Sequence, residues 1–172
     1  MELVNDRITV EYTDKQKNEY KNFDVERINR FVKNKNDDLK YDKDESKRNT
    51  SFLYENQLAI AKRMVNLFMN RLIVNLMVIA KFQTGKTGAI MAFIKEYINS
   101  VTVFTPLENI YVITGLSDKE WEAQTKERLP QDIRVFHRNK LTDELITEIK
   151  SKQDVLVIID EVHYARTLDQ TL

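Results

Sequence analysis

From residue 51 onward, short apolar runs alternate with segments whose apolar residues recur every three or four positions. The runs predict strands, because each is only a few residues long, continuously apolar and bounded by polar residues. Four strands are predicted, over residues 72–80, 109–114, 133–137 and 155–160. The helical pattern predicts amphipathic helices around residues 60–68, 90–98, 118–129 and 144–150. Strands that alternate with helices indicate an α/β fold with a parallel central sheet covered on both faces.

The first 50 residues have a different composition. Of these, 24 are charged, against 30 of the remaining 122. Apolar residues at roughly helical spacing predict one amphipathic helix over 22–33, and 33–49 is typical of a loop or a solvated helix. We therefore interpret 1–50 as a charged accessory extension, mostly helical or irregular, and 51–172 as the main domain. A linker without a chemical role is the alternative for 1–50.

Composition narrows the function classes. The 27 basic and 27 acidic residues balance, so net charge does not indicate a nucleic-acid partner. Without cysteine there is no disulfide, thiolate metal site or thiol nucleophile. The N-terminus lacks the apolar run of a signal peptide. The longest apolar stretch, Leu72 to Ala80, is too short to span a membrane and contains Asn75. We expect a soluble, intracellular protein without a membrane partner.

The sequence AKFQTGKT, residues 80–87, directly follows a predicted strand and opens a predicted helix. A phosphate loop needs a tight turn, a helix N-terminus, a lysine for the β- and γ-phosphates and a hydroxyl for Mg²⁺. Gly85, Lys86 and Thr87 supply these in the required order, and Gly88 follows. The pattern predicts an ATP site; a helix start without a ligand is the alternative.

A second candidate site is VLVIIDEVH, residues 155–163, where a predicted buried strand ends in two carboxylates. Ligands of α/β sheets bind at this end of the strands. Asp160 could hold Mg²⁺ and Glu161 could orient and deprotonate an attacking water. An edge turn or a helix N-cap is the alternative reading. We expect Lys86 and Asp160 to converge on one pocket, with the strands before each running parallel in one sheet.

Together the two motifs resemble those of superfamily 2 DExH-type helicases and translocases, in their first RecA-like motor domain, over residues 51–172. The loop is similar to the family's A-x-x-G-x-G-K-T form, with Gln83 in place of its middle glycine, and resembles that of helicases of large DNA viruses. The resemblance implies a RecA-like P-loop NTPase fold, with ATP and Mg²⁺ as cofactors. It implies phosphate contacts from residues 83–88, which include Gln83, Thr84 and Gly88, catalytic roles for Lys86 and Glu161, and Mg²⁺ ligands from Thr87 and Asp160.

Weaker matches extend the resemblance. Gln57 lies where the family reads adenine, and His163 completes the DEVH box, where it would couple hydrolysis to movement. Thr114, Gly115 and Gln124 match positions that contact a nucleic-acid backbone. The alternatives are a surface glutamine at position 57, a glycine-containing turn, and an exposed helix residue at position 124.

The resemblance implies a nucleic-acid partner, DNA rather than RNA, and a second RecA-like domain that supplies an arginine finger. Only nine residues follow His163, so we expect a chain truncated after the DEVH box that hydrolyses ATP slowly in isolation. Its location would be the cytoplasm, or a viral replication site. A duplex DNA translocase of restriction or packaging type is one alternative. Another is a non-catalytic nucleotide-binding module that docks a partner through residues 1–50.

Overall fold

A computed structural model describes residues 13–48, 50–71, 75–78, 85–100, 104–115 and 119–160. The helices are α1 (Asp14–Lys40), α2 (Glu55–Arg71), α3 (Lys86–Asn99), α4 (Lys119–Glu127) and α5 (Asp143–Ser151). The strands are β1 (Ile110–Thr114), β2 (Arg134–His137) and β3 (Leu156–Ile159). In this part of the chain no helix combines the length and the apolar character that a membrane crossing requires.

The three strands form one parallel sheet in the order β2-β1-β3. All five residues of β1 are buried, as expected for a central strand with a neighbour on each side. Helix α4 connects β1 to β2, and α5 connects β2 to β3. The prediction of a mixed α/β fold with a parallel sheet is confirmed, as are three of the four predicted strands.

The remaining predicted strand covers residues 72–80, the first along the chain. This prediction is wrong for the described residues 75–78, which are not in a strand. Met77 and Val78 are 75% and 52% exposed. Periodicity does not show whether an apolar run finds a neighbouring strand, and residues 75–78 pair with none of the described strands. The prediction that β3 is buried throughout is also wrong: β3 is at an edge of the sheet among the described strands, and Val157 and Ile159 are 40% and 39% exposed. The rest of residues 72–80 lies outside the described residues.

Helices α2 and α3 pack against each other and enclose much of the apolar core. The rings of Phe68, Phe93 and Tyr97 form a cluster in which all three contact one another, at centroid distances of 5.6 to 6.4 Å. The same core includes Ile110 and Val112 of the central strand. The predicted amphipathic stripes on these two helices therefore pack into the shared core, except for Ile60, which is 44% exposed.

Helix α1 is longer than predicted and belongs to the same core. It begins at a capping box, in which the Thr13 hydroxyl accepts from the Gln16 backbone and the Gln16 side chain accepts from the Thr13 backbone. Ile28 is fully buried in the core cluster. The helix also continues to Lys40, through residues that composition left open between a loop and a solvated helix. Part of the charged extension is thus structural.

Polar contacts fix α1 to the segments that lead into the sheet. The Asp24 carboxylate, 3% exposed, accepts a hydrogen bond of 3.1 Å from the Leu107 amide, just before β1. Arg27 donates to Asp24 at 3.2 Å and also forms an ion pair with Asp132, just before β2. Burial raises the pKa of the Asp24 carboxyl, against the opposing effect of these hydrogen bonds. Near the start of α1, the Lys21 ammonium donates to the carbonyl of Ser100, which follows α3.

We expect the Ile28→Ala variant to lose about 2–5 kcal/mol of unfolding free energy, because it opens a cavity where α1 meets the core. The matched control is Asn29→Ala, which alters the adjacent exposed residue of the same helix. Urea unfolding followed by circular dichroism measures both. Equal stability of the two variants would mean that α1 does not belong to the folded core.

Candidate nucleotide-binding site

The start of α3 has two features expected of a phosphate site, a glycine in the left-handed conformation and a helix N-terminus directly after it. Gly85 precedes the helix with φ of 74°, a left-handed conformation that favours glycine. Lys86 is the first helical residue and half-buried, and Thr87 is 9% exposed. Amide groups in the first turn of a helix attract anions. Gln83 and Thr84, the other predicted loop contacts, lie outside the described residues.

Gln57 lies against this helix start. Its Nε2 donates to the Gly85 carbonyl at 3.1 Å, and its Oε1 accepts from the Tyr54 amide at 3.0 Å. The side chain is 5% exposed, so the alternative reading as a surface glutamine is wrong. Gly88 leaves room for the same amide, because a Cβ there would lie 2.7 Å from the Gln57 Cδ. Adenine reading by Gln57 stays a prediction.

Asp160 lies at the carboxyl edge of the sheet. The residue follows β3 directly, and its amide donates to the Ile113 carbonyl at 2.9 Å, which extends the β1–β3 pairing by one step. Thr114 ends β1 and pairs with His137 at the end of β2. The ends of all three strands therefore meet at one edge, where α/β proteins bind ligands. Glu161 and His163 lie outside the described residues.

The candidate nucleic-acid contacts differ in exposure. Thr114 is 3% exposed and its hydroxyl donates to the Phe136 carbonyl at 3.4 Å, and Gly115 is also buried. Gln124 is exposed on α4. The structure thus leaves only Gln124 of the three accessible to a large ligand in this conformation. His137 accepts from the Asn139 amide through Nδ1 and caps a short helical turn, which fits a structural role.

Thr87 and Asp160 offer a hydroxyl and a carboxylate oxygen, the donor chemistry that Mg²⁺ prefers in proteins. No group of three or more histidine, aspartate or glutamate side chains is placed to hold a metal within the described ranges. A magnesium site here would therefore draw on these two residues together with phosphate oxygens and water. The convergence of Lys86 and Asp160 on one pocket stays a prediction.

A buried acidic group joins α4 to the turn after β2. Glu122 is 7% exposed, and its carboxylate accepts from Lys126 at 2.6 Å and from Lys140 at 2.9 Å. The hydrogen bonds from these two ammonium groups lower the pKa of Glu122 to about 2. The spacing of four residues between Glu122 and Lys126 is a visible helix signal. No comparable signal points to Lys140, which the fold brings into contact.

Comparisons with protein-family models, with curated proteins and with solved structures gave no match. The functional assignment of the chain therefore depends on its own residues. The two positions that matter most are the helix start at Gly85 and the sheet edge at Asp160.

Acid should weaken the contribution of Glu122 to stability. Its folded pKa lies below its usual value of 4.5, so this stabilisation is complete above about pH 4.5 and is lost as the pH falls towards 2. We expect Glu122→Gln to be less stable than the parent at pH 7, with a gap that narrows below pH 4.5. Thermal unfolding across this range measures the gap.

The control is Glu127→Gln, at an exposed position of the same helix. A Glu122→Gln gap that stays constant between pH 7 and pH 2 would contradict the assigned ion pairs.

Proposed function

We propose that this chain is the ATP-binding domain of a DExH-type nucleic-acid motor, which couples Mg-ATP hydrolysis to translocation or unwinding. One observation carries the proposal: the α/β unit has Gly85, Lys86 and Thr87 at the start of a helix and Asp160 at the carboxyl edge of its three-stranded parallel sheet. The order of these groups along the chain is the one that phosphate chemistry on such a fold requires.

The phosphates would bind at the first turn of α3. Gly85 permits the turn, the backbone amides of that turn face the anion, and the Lys86 ammonium would neutralise the β- and γ-phosphates. Thr87 and Asp160 would hold Mg²⁺, which supplies charge neutralisation between those phosphates when bound. Glu161 would accept a proton from the attacking water.

Nucleic acid would approach the carboxyl edge of the sheet and α4. Gln124 is exposed there. Lys126 and Lys140 both pair with the Glu122 carboxylate, so this group of three side chains has a net charge of one positive unit. Phosphate contacts of this kind position a strand without reading its sequence. A duplex translocase would use the same surface, so helicase and translocase remain two forms of one proposal.

We expect Lys86→Ala to bind Mg-ATP at least about tenfold more weakly than the parent, because a charge-assisted contact to phosphate is lost. Glu161→Gln should bind Mg-ATP with near-parent affinity, because its role begins after binding. Isothermal titration calorimetry measures all three proteins. Lys95→Ala is the matched control, since it removes the same charge from the same helix. Lys95 lies nine positions after Lys86, about 13 Å further along the helix axis.

Equal affinities of the parent and of Lys86→Ala for Mg-ATP would contradict the assignment of a nucleotide site to the start of α3. Phosphate release from ATP then separates a motor from a non-catalytic module. If the chain is a motor domain, the rate of ATP hydrolysis should fall in Glu161→Gln. If it is a non-catalytic module, this substitution should leave the rate of phosphate release unchanged.

A further inference from the structure

The oxygen and the nitrogen of the Gln57 side-chain amide each form a hydrogen bond with a backbone group, and the two groups belong to separate segments. The Tyr54 amide can only donate, and the Gly85 carbonyl can only accept, so the orientation of the Gln57 amide is fixed by its partners. The Gly85 carbonyl also accepts the first hydrogen bond of α3, from the Ala89 amide at 3.1 Å. Gln57 therefore contacts the very group at which α3 begins.

Two of the three glycines in the chain make room for this amide. A Cβ at Gly85 would lie 2.8 Å from the Gln57 Nε2. A Cβ at Gly88 would lie 2.7 Å from both Cδ and Oε1 of the same side chain. Gly85 is also needed for its positive φ, but Gly88 lies inside a helix, where glycine is otherwise unfavourable. The cost of glycine at position 88 is explained by the space that the amide occupies.

We propose that Gln57 is a positioning residue that holds the start of α3 in its phosphate-binding form, and that Gly88 is glycine to admit the Gln57 amide. This inference rests on the proposed nucleotide site. It differs from adenine reading in a measurable way: a group that acts through the helix start affects every ligand that carries the triphosphate, whatever its base.

The first experiment compares Gln57→Met with the parent for three ligands, Mg-ATP, Mg-GTP and magnesium tripolyphosphate. Methionine keeps the length of the side chain but has no amide. We expect affinity to fall about two- to tenfold, by the same factor for all three ligands, as for the loss of one or two hydrogen bonds. Measurements are made at a temperature where every variant is fully folded, so that a loss of global stability does not enter. Gln131→Met, at an exposed position of the turn before β2, is the control.

A loss confined to Mg-ATP would overturn the proposal in favour of adenine reading, and unchanged affinities would overturn it outright. Failure of the parent to bind any of the three ligands would contradict the nucleotide site itself. The role of Gly88 in admitting the Gln57 amide can still be tested in that case, because it is measurable in the ligand-free protein.

The second experiment is a double-mutant cycle in the ligand-free protein, with Tm as the readout. In the parent, Gly88→Ala should lower the Tm, because the added methyl group displaces the Gln57 amide from the Tyr54 and Gly85 backbone. In the Gln57→Ala background the same change should raise the Tm, because the space is free and alanine is the better helix former. The same Tm change in both backgrounds would contradict the role assigned to Gly88.

Discussion

Burial of β1 is the constraint on which the other elements depend. A central parallel strand has neighbours on both sides and needs cover on both faces, and all five residues of β1 are buried. Three strands alone cannot provide that cover, so helices must supply it. This explains why α1, which lies in the most charged part of the chain, buries Ile28 in the common core. It also explains the engagement of Asp24 with the backbone just before β1.

The same parallel arrangement creates the candidate site. Because all three strands run in one direction, the ends marked by Thr114, His137 and Asp160 meet at a single edge. The residues at this edge are polar and one of them is acidic, while α3 begins with the backbone amides of a helix N-terminus and a lysine. Gln57 links that helix start to the beginning of α2. Both parts of the candidate site thus belong to elements that also form the core.

Periodicity predicted most of the helices and three strands, because the apolar positions that define each element are local in the sequence. The strand predicted over 72–80 was wrong for residues 75–78, because strand formation depends on a partner that periodicity does not reveal. Charge density suggested a mostly solvated extension up to residue 50. The apolar spacing over 22–33 predicted a helix there, but not that its Ile28 side chain would be buried in the core of the main domain.

The candidate site was predictable where its signal is a motif and unpredictable where it depends on contacts. The helix that begins at Lys86 and the strand that ends before Asp160 were predicted from the sequence, whereas the strand expected ahead of the loop is absent from residues 75–78. The positions of Gln57 on the Gly85 carbonyl, and of Lys140 on Glu122, join residues 28 and 18 positions apart. Such polar contacts leave no periodic trace, since each is defined only when the fold brings two segments together.

The central claim is that triphosphate binds between the start of α3 and the carboxyl edge of the sheet. Backbone amide spectra of the isotope-labelled chain, titrated with Mg-ATP, magnesium tripolyphosphate and adenosine, test it directly. The account predicts that the amide signals of Gly85, Lys86, Thr87 and Asp160 move with both triphosphate ligands and stay unchanged with adenosine. Signals that move only elsewhere, or equally with adenosine, would contradict it.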